Sequence, residues 1–270
     1  MKIIFFTQED PFYVKVFFDE FFANYKRLDE INAVVISNPM GKKSLFDLAK
    51  QMYGLYGPLN FIRVGFKYVY YKLMSKRKIS KSVKSVKSDS VKILKTYSIK
   101  QTADSYGIKA IERSDLNSKD FISLIKRYDA DLFISIASPI IFKEQLIKIP
   151  KLDCINIHNA PLPKYRGMLP NFWQLYHGEK EAGITVHKIE KGIDTGDIIL
   201  QQYVPIETTE TLNDLIIKTK KKNAWMIMDT IEDFRNSRVQ YKRMEGKGSY
   251  FTFPTSKDVK EFIRRGKKIL

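Results

Sequence analysis

The chain has 270 residues, 44% hydrophobic and 29% charged, the balance of a globular protein with room for one large domain and a small appendage. Its single cysteine, Cys154, excludes an intrachain disulfide and fits a reducing compartment. No apolar stretch approaches the roughly 18–20 residues of a bilayer span, and Ile3–Phe6 is too short for a signal core, so the cytoplasm is the expected location.

The formal net charge of +17 is concentrated: residues 61–100 carry twelve Lys or Arg against one acid, Asp89. A solvated lysine-rich loop accounts for this. So does an anionic partner, whether the phosphates of a nucleotide-sugar, a membrane surface or RNA.

In chain order, Ile3–Thr7 reads as a buried strand, Asp10–Tyr25 as a Phe-rich helix and Ile31–Ser37 as a second strand. No Gly-x-Gly-x-x-Gly follows the first strand, so dinucleotide binding is unsupported. A long excursion then runs to about Gly107. Within it Ile62, Phe66, Val69 and Leu73 fall at helical spacing in Leu59–Met74. Such a helix must be covered by the core, by a second subunit in a homodimer or by lipid. The Lys76–Lys87 run after it reads as flexible and exposed, so the segment 59–87 suits peripheral contact at the inner membrane surface.

A third strand is expected near Ile108–Ile111, a helix over Ser118–Tyr128, a fourth strand over Asp131–Ala137 and a fifth over Asp153–His158. Further on come a strand at Gln201–Ile206 and a helix over Leu212–Phe234, whose Lys220-Lys221-Lys222 reads as a solvated face. A short basic helix closes the chain. Alternating strands and helices predict an α/β fold with a doubly wound, mostly parallel sheet, whose ligands sit beyond the carboxyl ends of the strands. The fifth strand ends there, at His158.

Residues two apart on a strand share a face, so Asn156 and His158 project together. Asp194 follows 36 residues after His158, in the turn-like Gly192-Ile193-Asp194-Thr195-Gly196. An amide, an imidazole and a carboxylate together suit acyl transfer: the amide donates to a developing oxyanion, the imidazole moves a proton, and the carboxylate orients it or deprotonates the nucleophile. Singly, each has a plainer reading, as a strand cap, a buried histidine and a turn aspartate. His177 reads as structural, and His187 as packing.

The order and context of these residues point further. Asn156-Ile157-His158-Asn159-Ala160-Pro161-Leu162-Pro163, then Tyr165-Arg166-Gly167, Gly183-Ile184-Thr185-Val186-His187 and Asp194-Thr195-Gly196-Asp197 resemble the 10-formyltetrahydrofolate-dependent formyltransferases. The likeness is close over about residues 130–205 and looser over the first strands. It implies a catalytic domain at 1–206, with the basic insertion at about 38–107, followed by a helical and basic extension at 207–270. It implies Asn156, His158 and Asp194 as the catalytic trio. The pterin of the cosubstrate, 10-formyltetrahydrofolate, would lie against Ala137, Ser138, Pro139, Ile140, Ile141 and Ile193. Tyr165, Arg166 and Gly167 would flank the amine acceptor, and similar loops carry a cis Leu162–Pro163 bond. No metal is called for.

The resemblance is closest in style to the sugar N-formyltransferases, so the expected acceptor is an amino sugar bearing phosphates on a nucleotide or lipid carrier. Only 65 residues follow Pro205, which is short for the barrel of the methionyl-tRNA formyltransferases, so tRNA is the alternative acceptor. A non-catalytic membrane- or RNA-binding protein on the same fold is the third reading.

Overall fold

The computed structural model describes residues 1–38, 44–77 and 95–270. The run expected to be flexible, Lys76–Lys87, lies outside them beyond Arg77. The elements in chain order are β1 (Ile3–Gln8), α1 (Val14–Asn24), β2 (Ile31–Ser37), α2 (Leu45–Met74), α3 (Ile99–Ser105), β3 (Ala110–Glu112), α4 (Lys119–Lys126), β4 (Leu132–Ile136), α5 (Glu144–Ile147), β5 (Asp153–His158), β6 (Arg166–Gly167), α6 (Pro170–His177), β7 (Glu181–Lys188), β8 (Ile198–Pro205), α7 (Leu212–Arg235), β9 (Tyr250–Phe251) and α8 (Ser256–Arg264).

Seven strands form one sheet in the order β3-β2-β1-β4-β5-β7-β8. The first five are parallel, and β7 and β8 complete the sheet antiparallel to their neighbours. The doubly wound, mostly parallel sheet is therefore present. Its strand order reverses between β1 and β4, where open α/β sheets bind ligands.

The alternation of side chains divides the core. Ile3, Phe5, Val34, Ile134 and Ile155 face a layer that includes α1 and α7, while Ile4, Phe6, Val35, Phe133 and Cys154 face Phe121 and Ile125 of α4. Four phenylalanines of α1 recur at 17, 18, 21 and 22, and three of them meet Phe5 with centroids 5.1–6.0 Å apart. Each such ring contributes about 1.5–3 kcal/mol by leaving water, which clamps the helix to the first strand. Helix α7 starts with a capping box, Thr211 with Asp214, and its buried face lies on α1.

Two expectations fare differently. The helix foreseen over Leu59–Met74 belongs to α2, which breaks at Gly57 (φ 69°), where Pro58 opens the second half. The Lys220-Lys221-Lys222 face is not uniformly solvated. Lys221 is exposed, but Lys220 is 8% exposed and lies in the α7 interface. Its position on the buried arc that carries Ile216, Thr219 and Asn223 overrides its charge. Burial pushes its ammonium from 10.5 down to about 8, against the pull of Asp10.

Candidate active site

Strand β5 positions the first two groups. Asn156 pairs with Ser135 on one side and His187 of β7 on the other, and His158 pairs with Thr185. Beyond His158 the chain is tied down by a buried amide network. Asn159 donates to Asn171 Oδ1 and Thr219 Oγ1, both at 3.2 Å, and accepts from Asn223 at 2.7 Å. Gln174 donates to the Asn159 carbonyl at 2.7 Å and accepts from the Gly183 N–H at 2.8 Å. These bonds join the end of β5 to α6, α7 and β7, so the ground around His158 is rigid.

Asp194 comes from the loop between β7 and β8, in the left-handed region at φ 52°. Asp tolerates that conformation better than most residues. The turn closes because residue 196 is glycine: a Cβ there would lie 2.1 Å from the Lys188 carbonyl. Asp194 Oδ2 accepts from the Gly167 N–H at 2.9 Å and lies 3.6 Å from His158 Nδ1, and its Oδ1 lies 3.6 Å from His187 Nε2. Gly167 (φ 97°) is equally constrained, since a Cβ would lie 2.3 Å from the Phe251 carbonyl.

The three expected residues are thus brought together, and His187 joins them. Its assignment to packing is incomplete: it is buried, but its Nε2 is 3.1 Å from Asn156 Nδ2. The available signal was the alternation of β7, which puts His187 on one face with Thr185. What was missing was the pairing of β7 with β5.

Each imidazole is anchored at its far nitrogen. His158 Nε2 donates to the Tyr165 carbonyl at 2.9 Å, and His187 Nδ1 to the Lys188 carbonyl at 2.8 Å. A neutral ring so anchored presents a lone pair at its near nitrogen. For His187 the Asn156 amide N–H fills that lone pair. For His158 nothing among the described residues does: Nδ1 faces a carboxylate oxygen at a distance too long for a direct hydrogen bond. That gap accepts a proton on the ring or an N–H donor from outside.

Burial lowers the affinity of His158 for a second proton, and the Asp194 charge only partly restores it. Burial would raise the Asp194 carboxyl, yet the two imidazoles, whenever either carries a proton on the nitrogen that faces it, and the Gly167 N–H hold it down at about 2. The carboxylate is therefore a fixed anion, and His158 is the group poised to take up a proton.

The expected pterin segment follows β4. Ala137 is left-handed (φ 54°), Ser138 Oγ accepts from the Ile140 N–H at 3.4 Å, and Pro139 lies between them. Ile141 and Ile193 are 68% and 42% exposed, an unusual state for isoleucines beside such a cluster. Ile140 and Ile189 pack on the same apolar layer of the core. Among the acceptor candidates, the Tyr165 ring is spent on packing: it stacks on Phe251, and its hydroxyl donates to Glu179 at 2.6 Å. Only its backbone serves the site. Arg166 Nε is buried without a hydrogen-bond partner among the described residues. The Leu162–Pro163 bond is cis. Among the described residues no group of three or more His, Cys, Asp or Glu could hold a metal ion.

Residues 72–231, more than half of the chain, match the family described as Formyl transferase. The chain belongs to the formyl transferase family. Methionyl-tRNA formyltransferase of Thermodesulfovibrio yellowstonii is 33% identical over 159 residues, covering 59% of this chain and 52% of that protein. The chain spans about half the length of the curated relatives it matches. Among solved structures, the N-formyltransferase from Helicobacter canadensis, in complex with folinic acid and dTDP-3-aminofucose, is 20% identical with a TM-score of 0.56, covering 98% of this chain and 80% of that one. Glycinamide ribonucleotide transformylase 1 from Symbiobacterium toebii is 18% identical, also with a TM-score of 0.56, covering 92% of each chain. At these identities the likeness establishes the fold.

Proposed function

We propose that this chain transfers a formyl group from 10-formyltetrahydrofolate to a primary amine, that of an amino sugar attached to a nucleotide or lipid carrier. The observation that carries the reading is the 3.6 Å gap between His158 Nδ1 and Asp194 Oδ2, with the far side of the ring already committed to the Tyr165 carbonyl. Two acceptors facing each other across a gap suit an amine, whose N–H groups can satisfy both.

The residues fit the folate cosubstrate. The exposed Ile141 and Ile193 offer apolar surface to a flat ring system beside the backbone of Ala137 and Ser138. When bound, 10-formyltetrahydrofolate supplies the electrophilic formyl carbon. The roles of the chain's own groups follow. His158 Nδ1 accepts a proton from the attacking nitrogen, and the adjacent Asp194 charge stabilises the imidazolium. Asn156 keeps one amide hydrogen on His187 and turns the other toward the formyl oxygen as negative charge develops there. A donor so placed is worth about 2.7–4 kcal/mol of barrier. His158 then returns its proton to the departing nitrogen, so the proton balance closes without a metal or a covalent enzyme intermediate.

For the acceptor, the guanidinium charge of Arg166, next to the Gly167 N–H that Asp194 binds, supports a substrate bearing an anionic group. A second reading, formylation of methionyl-tRNA, is favoured by the similarity to methionyl-tRNA formyltransferases over about half of their length. Release of tetrahydrofolate from 10-formyltetrahydrofolate, measured with an amino sugar on a nucleoside diphosphate and with charged initiator tRNA, decides between them. Turnover with the sugar alone is the expected outcome. Turnover with tRNA alone replaces the acceptor, and turnover with neither overturns the proposal.

A further inference from the structure

The second half of α2 presents an apolar stripe to solvent. Leu59, Ile62, Phe66, Val69 and Leu73 are 82, 56, 74, 53 and 61% exposed, and their spacing places them on one face. The opposite face is the docked one: Tyr71 meets Phe12 and Tyr97 with centroids 5.6 Å apart, and Gln101 Nε2 donates to the carbonyls of Met74 and Arg77. Among the described residues, the body of the protein therefore holds this helix while leaving its apolar side uncovered. Five large apolar residues in one row are more than scattered surface hydrophobics account for.

Charge indicates the occupant. By helical geometry Arg63 and Lys72 flank the stripe on opposite sides, and Lys76 and Arg77 continue it past the helix end. No Asp or Glu lies between Asp47 and Asp89. A second copy of this helix would set cations against cations with no acid to offset them. An anionic surface meets both the apolar row and its basic flanks.

We propose that this face of α2 docks on an anionic lipid bilayer, lying in the headgroup region with the stripe inserted. Among the described residues no helix is long and apolar enough to cross a membrane, so the contact is peripheral. The docking has a directional consequence. Phe12, against which Tyr71 packs, follows the carboxyl end of β1, and β1 is parallel to β4 and β5, so α2 is tethered at the carboxyl end of the strands, the end that carries His158. A membrane-bound chain would hold that end near the bilayer. The docking itself rests on the stripe and not on the acceptor reading.

Flotation of the full chain with vesicles of phosphatidylglycerol and phosphatidylcholine in equal parts tests it, with pure phosphatidylcholine as the comparison. The wild type floats with the anionic vesicles only. The double variant Phe66→Glu/Val69→Glu weakens binding about a hundredfold. The double variant Arg63→Glu/Lys72→Glu leaves the apolar row intact and weakens binding at low salt by a similar factor. All four positions are exposed, so thermal melts and tetrahydrofolate release in solution stay as in the wild type. Failure of the wild type to float, flotation unaffected by both variants, or a dimer that the Phe66 and Val69 changes dissociate each overturns the proposal. So does binding of RNA at the stripe in place of lipid. Loss of transfer activity with flotation intact would strike the proposed function and leave this inference standing.

Discussion

Replacing Asp194 with Asn keeps the shape of the turn and an oxygen for the Gly167 N–H while removing the charge beside His158. At 3.6 Å, with an effective dielectric near 20, that charge favours a proton on the facing ring nitrogen by about 4–5 kcal/mol. If about half of this is expressed at the transition state, the barrier rises by about 2 kcal/mol, roughly thirtyfold in rate. Loss of one anchor for the attacking amine carries the total toward about a hundredfold in kcat.

The pH profile is more discriminating than the rate. In the wild type, burial lowers the proton affinity of His158 and Asp194 partly restores it. Activity should then fall on the acid side below the ordinary histidine range. Without the carboxylate the restoring influence is gone, so in Asp194→Asn the acid limb moves to lower pH even as the plateau drops. Steady-state release of tetrahydrofolate across the pH range, with a melt to confirm folding, measures both. An acid limb that moves up in the variant would refute the assignment of His158 as base. A wild-type profile flat down to the carboxylate range, where Asp194 titrates at about 2, would do the same by making Asp194 the base.

His187 should act through Asn156. His187→Leu removes the acceptor of the Asn156 amide at 3.1 Å and is expected to cut kcat about tenfold. In the double variant with Asn156→Ala the two losses should not add; additive losses would mean that His187 does not position Asn156. Lys220→Met probes the buried cation. Because its pKa falls from 10.5 to about 8 on folding, the cost of holding the charge is fully present below about 8 and disappears above 10.5. At about 1.4 kcal/mol per tenfold change in proton affinity, this amounts to about 3 kcal/mol. The variant should be more stable at neutral pH and lose the rise in stability that the wild type shows between those values. Denaturation that is unchanged at neutral pH, or easier, would mean that Lys220 has a stabilising role the variant removes.

The fold was legible wherever apolar runs are short and bounded. Ile31–Ser37 and Asp153–His158 appear at the expected limits because each centres on buried β-branched residues, Val34, Val35 and Ile36 in the one and Ile155 and Ile157 in the other. Boundaries slipped where polar residues share an element: β3 begins at Ala110, not Ile108, and α1 begins at Val14, not Asp10. Asp10 lies outside that helix because its carboxylate accepts the N–H groups of Phe12 and Tyr13 and spends three residues on a turn. Helix α3 went unseen, since Ile99–Ser105 holds only one large apolar residue, Ile99, and owes its form to the Ser98 cap and to burial against α1.

At the site, the residues carried by one strand could be found from the alternation of β5 alone, and Asp194 from its glycine-bounded turn. His187 required knowledge of a partner strand. The sheet runs parallel through β5 and then reverses, and only the antiparallel register sets residue 187 opposite residue 156. Sequence periodicity fixes which face a side chain takes, but not which strand lies beside it. The same limit explains Lys220. Its neighbours in sequence are two further lysines, and nothing local distinguishes the one that the fold buries. Both misses concern polar groups whose surroundings come from distant segments. Such groups are also where a chain can hold protons and charges out of their ordinary range, so what sequence patterning leaves out here is concentrated at the chemistry.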